Sequence, residues 1–79
     1  MTAAFTLYHR EGCHLCEGML RDLQMLSSIS AFTVQQIDID QDEKLRARFN
    51  EDVPVLALGD EIICKHFFDE PRIREALNA

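Results

Sequence analysis

Apolar and polar residues alternate through Phe5-Thr6-Leu7-Tyr8. That period-2 pattern in β-prone residues predicts a first strand over residues 5–9. Gly12 breaks the run, and the period then changes. Leu15, Met19, Leu23 and Leu26 recur at helical spacing, with Cys16 and Leu20 beside them. They predict a helix from about residue 15 to the Ser27-Ser28 pair. Gly18 inside it costs ~1 kcal/mol relative to alanine.

Residues 32–39 are rich in β-branched and aromatic side chains and predict a second strand. Asp40 suits the N-cap of a second helix, and Glu43, three residues on, completes a capping box. Leu45 and Phe49 would face the core from that helix, with Arg46 and Arg48 outside and residues 50–52 closing it. Residues 53–58 predict a third strand, Gly59-Asp60 a tight turn and residues 62–67 a fourth strand, so the last two strands form a hairpin. Asp69-Glu70-Pro71 opens a final helix, because acids favour an N-terminus and proline fits the first turn. Ile73, Ala76 and Leu77 are its expected buried side. The order β-α-β-α-β-β-α predicts an α/β fold, a four-stranded mixed sheet with helices on both faces. No repeat or linker interrupts it, so residues 1–79 are expected to be a single domain.

Composition narrows the function. The 79 residues are 47% hydrophobic and 28% charged, as in an ordinary soluble protein. Formal net charge is −6, and the six arginines, at 10, 21, 46, 48, 72 and 74, are scattered. A phosphate backbone needs a basic face, so nucleic acid is not an expected partner. No apolar run approaches the ~18 residues of a membrane helix, and no basic-then-apolar opening resembles a signal peptide. Three cysteines fall far below the ~8–10% of a disulfide-built scaffold. The cytoplasm is therefore the expected compartment, where a Cys-x-x-Cys pair is more often catalytic or metal-binding than structural.

Cys13-His14-Leu15-Cys16 lies at the junction of the first strand and first helix. In an α/β sheet, ligands bind beyond the carboxyl ends of the parallel strands, and Cys13 falls there. A helix N-terminus presents unpaired N–H groups and partial positive charge, which favours a thiolate at Cys13. Cys16, one turn on, shares a face with Cys13 and can attack a mixed disulfide formed there. The pair reads as a thiol–disulfide redox site.

With these features the chain resembles the glutaredoxin-like branch of the thioredoxin fold. The strand-Cys-x-x-Cys-helix junction, the element order and Val53-Pro54 before the third strand carry the resemblance over nearly the whole chain. Residues 7–16 are most similar to small bacterial glutaredoxin-like proteins of undefined substrate. The resemblance implies that Pro54 is cis and packs beside the active pair, and that the Val53 backbone pairs with a substrate chain as an added strand. It also matches Asp69 to the aspartate of a Gly-Gly-x-Asp run that holds a glutathione carboxylate. Two departures stand out. His14-Leu15 replaces the usual Pro-Tyr, and such middle residues help set the potential. His66-Phe67 replaces the two glycines, where larger side chains would crowd a ligand.

The expected function is thiol–disulfide exchange, reducing a protein disulfide or a glutathione mixed disulfide. Cys13 is the nucleophile and Cys16 the buried resolving thiol. Arg10 and His14 are candidates for stabilising the thiolate or holding a substrate carboxylate, with a solvated surface role as the alternative for each. Glu11 and Glu17 oppose the thiolate. Cys64, among Ile62, Ile63 and Phe67, is expected in the core, and His9 and His66 at strand ends. No bound cofactor is expected, with glutathione or a reductase resetting the pair, and a monomer is expected. Two other classes remain open: a metal or Fe–S site on the same cysteines, and a non-catalytic docking module that keeps the fold.

Overall fold

The alternation in the first strand decides what packs on each side of the sheet. A computed structural model describes residues 2–78. Met1 and Ala79, the ends of the expected 1–79 domain, lie outside the described residues. Strand β1 (Ala3–His9) is central. Its Phe5 and Leu7 turn to one face, where they pack with helix α1 (His14–Ser27) and helix α3 (Glu70–Leu77). Its Tyr8 turns to the other face, against helix α2 (Glu43–Phe49) through Phe49, with ring centroids 4.7 Å apart. Successive side chains on a strand point to opposite faces, so one strand serves both layers.

Strands β2 (Phe32–Asp38), β3 (Val55–Leu58) and β4 (Glu61–Lys65) complete the sheet in the order β2-β1-β3-β4. β1 runs parallel to β2 and antiparallel to β3, and β4 is antiparallel to β3. This is the expected four-stranded mixed sheet with helices on both faces. The β3–β4 hairpin turns at Gly59, whose φ of 61° lies in the left-handed region that glycine adopts without steric cost. A register shift between Leu56 and Ala57 lets neighbouring Ile63 and Cys64 both pack on the α1/α3 side, while Ile62 serves the α2 side. Strict alternation could not do this; a bulge can.

Three local expectations are corrected. Helix α1 buries Cys16, Met19, Leu23 and Leu26, whereas Leu15 is 46% exposed. The core stripe runs 16-19-23-26, and Leu15 stands one residue, about 100°, around the helix from it. Second, the cap of α2 is Asp42, not Asp40: its carboxylate accepts from the Lys44 and Leu45 N–H groups at 2.8 and 3.2 Å. A 3₁₀ turn, Ile39–Gln41, intervenes because Asp38 caps it and buried Ile39 fills the α2-side core. Third, the last two strands are shorter than predicted. β3 begins after Pro54, and β4 ends before His66, which has a positive φ.

Candidate active site

Cys13 is both the first cysteine of the pair and the N-cap of α1. Its backbone is extended, and its sulfur accepts the Cys16 backbone N–H at 3.1 Å. An N-cap side chain satisfies one of the orphan donors of the first turn, and here a sulfur does what serine or aspartate usually does. Gly12, at φ 77°, supplies the left-handed step into this cap. The two cysteines are joined as a disulfide, with Cα atoms 5.2 Å apart. Their surroundings differ: Cys13 is partly exposed, whereas Cys16 is only 4% exposed and lies on the core face of α1. An open cavity of about 200 Å³ reaches Cys16 between β1, β2 and α1. Leu7, Leu20, Gln36 and Glu17 are among its walls.

The loop from α2 to β3 supplies the other side. The Val53–Pro54 peptide bond is cis, as the resemblance implies, and Pro54 is buried. Tyr8 pairs with Val55. The antiparallel register, continued one step, sets Pro54 beside His9, four residues before Cys13. The Pro54 carbonyl accepts from the His66 N–H at 2.8 Å. Val53 is half-buried, and its own N–H and C=O find no backbone partner among the described residues.

Arg10 has partners of its own. Its guanidinium grips the Asp40 carboxylate with two bonds of 3.0 Å, from Nε and Nη2. It also donates to the Asn50 carbonyl at 3.1 Å and the Asn50 side-chain oxygen at 2.7 Å. Four of its five N–H groups are thereby taken by this chain. The bond from Arg10 holds the Asp40 carboxyl below the usual carboxylate range, and Asp40 raises the guanidinium further. Asp69 is likewise engaged: it caps α3, accepting from the Arg72 N–H at 3.1 Å. His14 projects into solvent with its side chain 99% exposed, and its nearest acid is Glu17 at 3.9 Å. The structure thus brings Cys13 and Cys16 together, places His14 beside them in water, and ties Arg10 and Asp69 to internal partners.

The comparisons agree with this geometry. Residues 4–78 match the family model described as Glutaredoxin-like domain (DUF836). The chain belongs to that family. A Dictyostelium discoideum protein, named Glutaredoxin-like protein YDR286C homolog, is 31% identical over 72 residues, covering 84% of this chain and 67% of that one. Among solved structures, the solution structure of protein Ne2328 from Nitrosomonas europaea superposes with a TM-score of 0.87 at 38% identity, covering 98% and 93% of the two chains. Fasciola hepatica thioredoxin superposes at 0.60 with 15% identity, covering 98% of this chain and 79% of its own, which shows the shared thioredoxin fold.

In this glutaredoxin-like domain, His66 stands where the resemblance sets the first glycine. It keeps a glycine-like backbone, with φ 67°, and the Phe67 N–H closes a tight three-residue turn onto the Lys65 carbonyl at 2.7 Å. The Phe67 ring beyond it is 69% exposed. Cys64 is the free cysteine; it is half-buried, and burial pushes its thiol up. Among the described residues, no three His, Cys, Asp or Glu side chains are grouped to hold a metal ion, and no helix is long and apolar enough to cross a membrane.

Sequence reading missed Asp40 and Asn50 as the partners of Arg10. The parallel register pairs His9 with Asp38, so Arg10 leaves β1 level with the 3₁₀ turn that carries Asp40. A basic residue after one strand and an acid after its parallel neighbour was the available signal.

Proposed function

We propose that this glutaredoxin-like domain is a thiol–disulfide oxidoreductase that reduces protein disulfides or glutathione mixed disulfides. The observation that carries the reading is the unequal placement of the two sulfurs. Cys13 is reachable and sits at a helix N-terminus, while Cys16 is buried directly behind it. In the reduced protein, the Cys13 thiolate attacks one sulfur of a substrate disulfide. A Cys13–substrate bond forms, the substrate S–S bond breaks, and the first substrate thiolate leaves. Cys16 loses its proton and attacks the Cys13 sulfur. The second substrate thiolate leaves, and the Cys13–Cys16 disulfide remains. Two electrons pass from the pair to the substrate. A thiol reductant, glutathione or a reductase, returns them.

The Val53 N–H and C=O, without a backbone partner among the described residues, support docking of an extended substrate chain beside the pair as an added strand. The test is trapping with cysteine variants. Cys13→Ser should abolish exchange with a disulfide substrate. Cys16→Ser should accumulate a mixed disulfide through Cys13, visible by mass. Full activity in Cys13→Ser protein would overturn the reading.

A further inference from the structure

We propose that Arg10 is a positioning residue that fixes the Val53–Pro54 segment against the Cys13 loop, rather than a ligand for the thiolate or for substrate; this rests on the function proposed above.

Arg10 lies three residues before Cys13, and Asn50 lies three residues before Val53. These are the two segments that flank the site. Arg10 donates to Asn50 twice, once to its backbone carbonyl, so it holds the main chain itself where α2 ends. The guanidinium is in turn aimed by the two-pronged Asp40 contact. Asp40 is held by its turn, in which the Asp38 carboxylate accepts the Asp40 N–H at 2.9 Å. The result is a chain of polar contacts, Asp38–Asp40–Arg10–Asn50, across the carboxyl ends of β1 and β2 to the loop that ends at Pro54.

A planar fork with fixed directions can do this; a lysine ammonium cannot reproduce both pairs of bonds. The same contacts argue against the other roles. A guanidinium already paired with a carboxylate is a weak source of positive charge for Cys13, and a single N–H remains for any substrate. Arg10 and Asp40 are partly exposed, with side chains 30% and 40% accessible, so the effect expected is on geometry more than on overall stability.

The experiment compares wild type with Arg10→Lys, Asp40→Asn and Asn50→Ala. Each is assayed for kcat and KM with a disulfide-bonded peptide, for the pH profile of Cys13 alkylation by iodoacetamide, and for thermal stability. Positioning predicts that Arg10→Lys and Asp40→Asn lose kcat/KM on the peptide, by about tenfold or more and mainly through KM, and that Asn50→Ala, which keeps the backbone carbonyl contact, loses less. It also predicts that the Arg10→Lys/Asp40→Asn double variant loses no more than either alone, and that the alkylation profile does not move.

A charge role predicts the opposite pattern. Arg10→Lys would then be nearly silent, while Asp40→Asn would free the cation, lower the midpoint of Cys13 alkylation and raise the rate. A purely structural role would lower thermal stability and leave KM unchanged. Either result overturns the proposal. Wild-type protein that turns over no disulfide would instead remove the function on which it rests, so the two failures are distinct.

Discussion

The Cys16 backbone N–H points at the Cys13 sulfur from 3.1 Å. One residue thus caps the helix and, under the function proposed above, offers the nucleophile in the reduced protein. A helix N-terminus favours an anion, so this cap favours the thiolate. The reduced protein should therefore take up one equivalent of iodoacetamide at Cys13 first, faster than a free cysteine does at neutral pH. Peptide mapping after limited alkylation checks the order. Cys16, at 4% exposure, should be modified only after Cys13 or after unfolding.

Cys64 should stay unmodified under those conditions. Burial holds its thiol protonated beyond the ordinary thiol range. A raised folded value means that the native state keeps this proton more tightly than the unfolded chain. The associated stability is present below the ordinary thiol value of ~8.5 and is lost as pH rises through the folded value. Urea midpoints should therefore decline on the alkaline side, and Cys64→Ala should flatten that decline. An unchanged alkaline slope in Cys64→Ala would contradict the assignment.

Asp40 titrates in the opposite sense. Arg10 lowers its carboxyl below the usual range. The contact between them is complete above the ordinary carboxylate value of ~3.9 and is lost as pH falls through the folded value. Nuclear magnetic resonance titration of the Asp40 side chain should show a lower midpoint in wild type than in Arg10→Lys protein. Equal midpoints would mean that the two-pronged contact does not hold in solution.

His66 keeps a backbone conformation that favours glycine, with φ 67°. A left-handed residue with a side chain costs roughly 1–2 kcal/mol, and glycine recovers part of this after its own loss of chain entropy. His66→Gly should stabilise the fold by about 0.5–1 kcal/mol, raising Tm by several degrees in a chain of this size. Calorimetry of the two proteins decides it, and a lower Tm would show that the His66 side chain makes up for its strain.

Asp42 closes α2 with two N–H bonds. Removing such a cap costs ~1 kcal/mol. Asp42→Ala should lose about that in urea unfolding, while Asp42→Asn, still a capping residue, should lose less. A silent Asp42→Ala would show that these two bonds add nothing to stability.

Periodicity carried most of the architecture. Phe5 and Leu7 announced the central strand, and Met19, Leu23 and Leu26 the first helix, because a half-buried element writes its period into the chain. The Cys13–Cys16 pair was legible as a motif, since its spacing and its place at a strand-to-helix junction are both written locally in the chain. What escaped was set by neighbours distant in sequence. Asp40 has the capping-box spacing to Glu43, but the burial of Ile39 in the α2-side core places Asp40 inside a 3₁₀ turn and leaves the cap to Asp42. Arg10 carries no mark of its partners at residues 40 and 50, since strand register alone brings them together. The side-by-side packing of Ile63 and Cys64 needs a bulge that alternation cannot announce.

A redox titration of the whole protein in glutathione buffers, quenched by alkylation and read as intact mass, tests whether Cys13 and Cys16 work as a redox pair. A reversible two-electron transition at Cys13 and Cys16 with one defined midpoint is expected, while Cys64 remains a thiol throughout. A pair that stays reduced across the range of buffers, or that accumulates no internal disulfide, would contradict it.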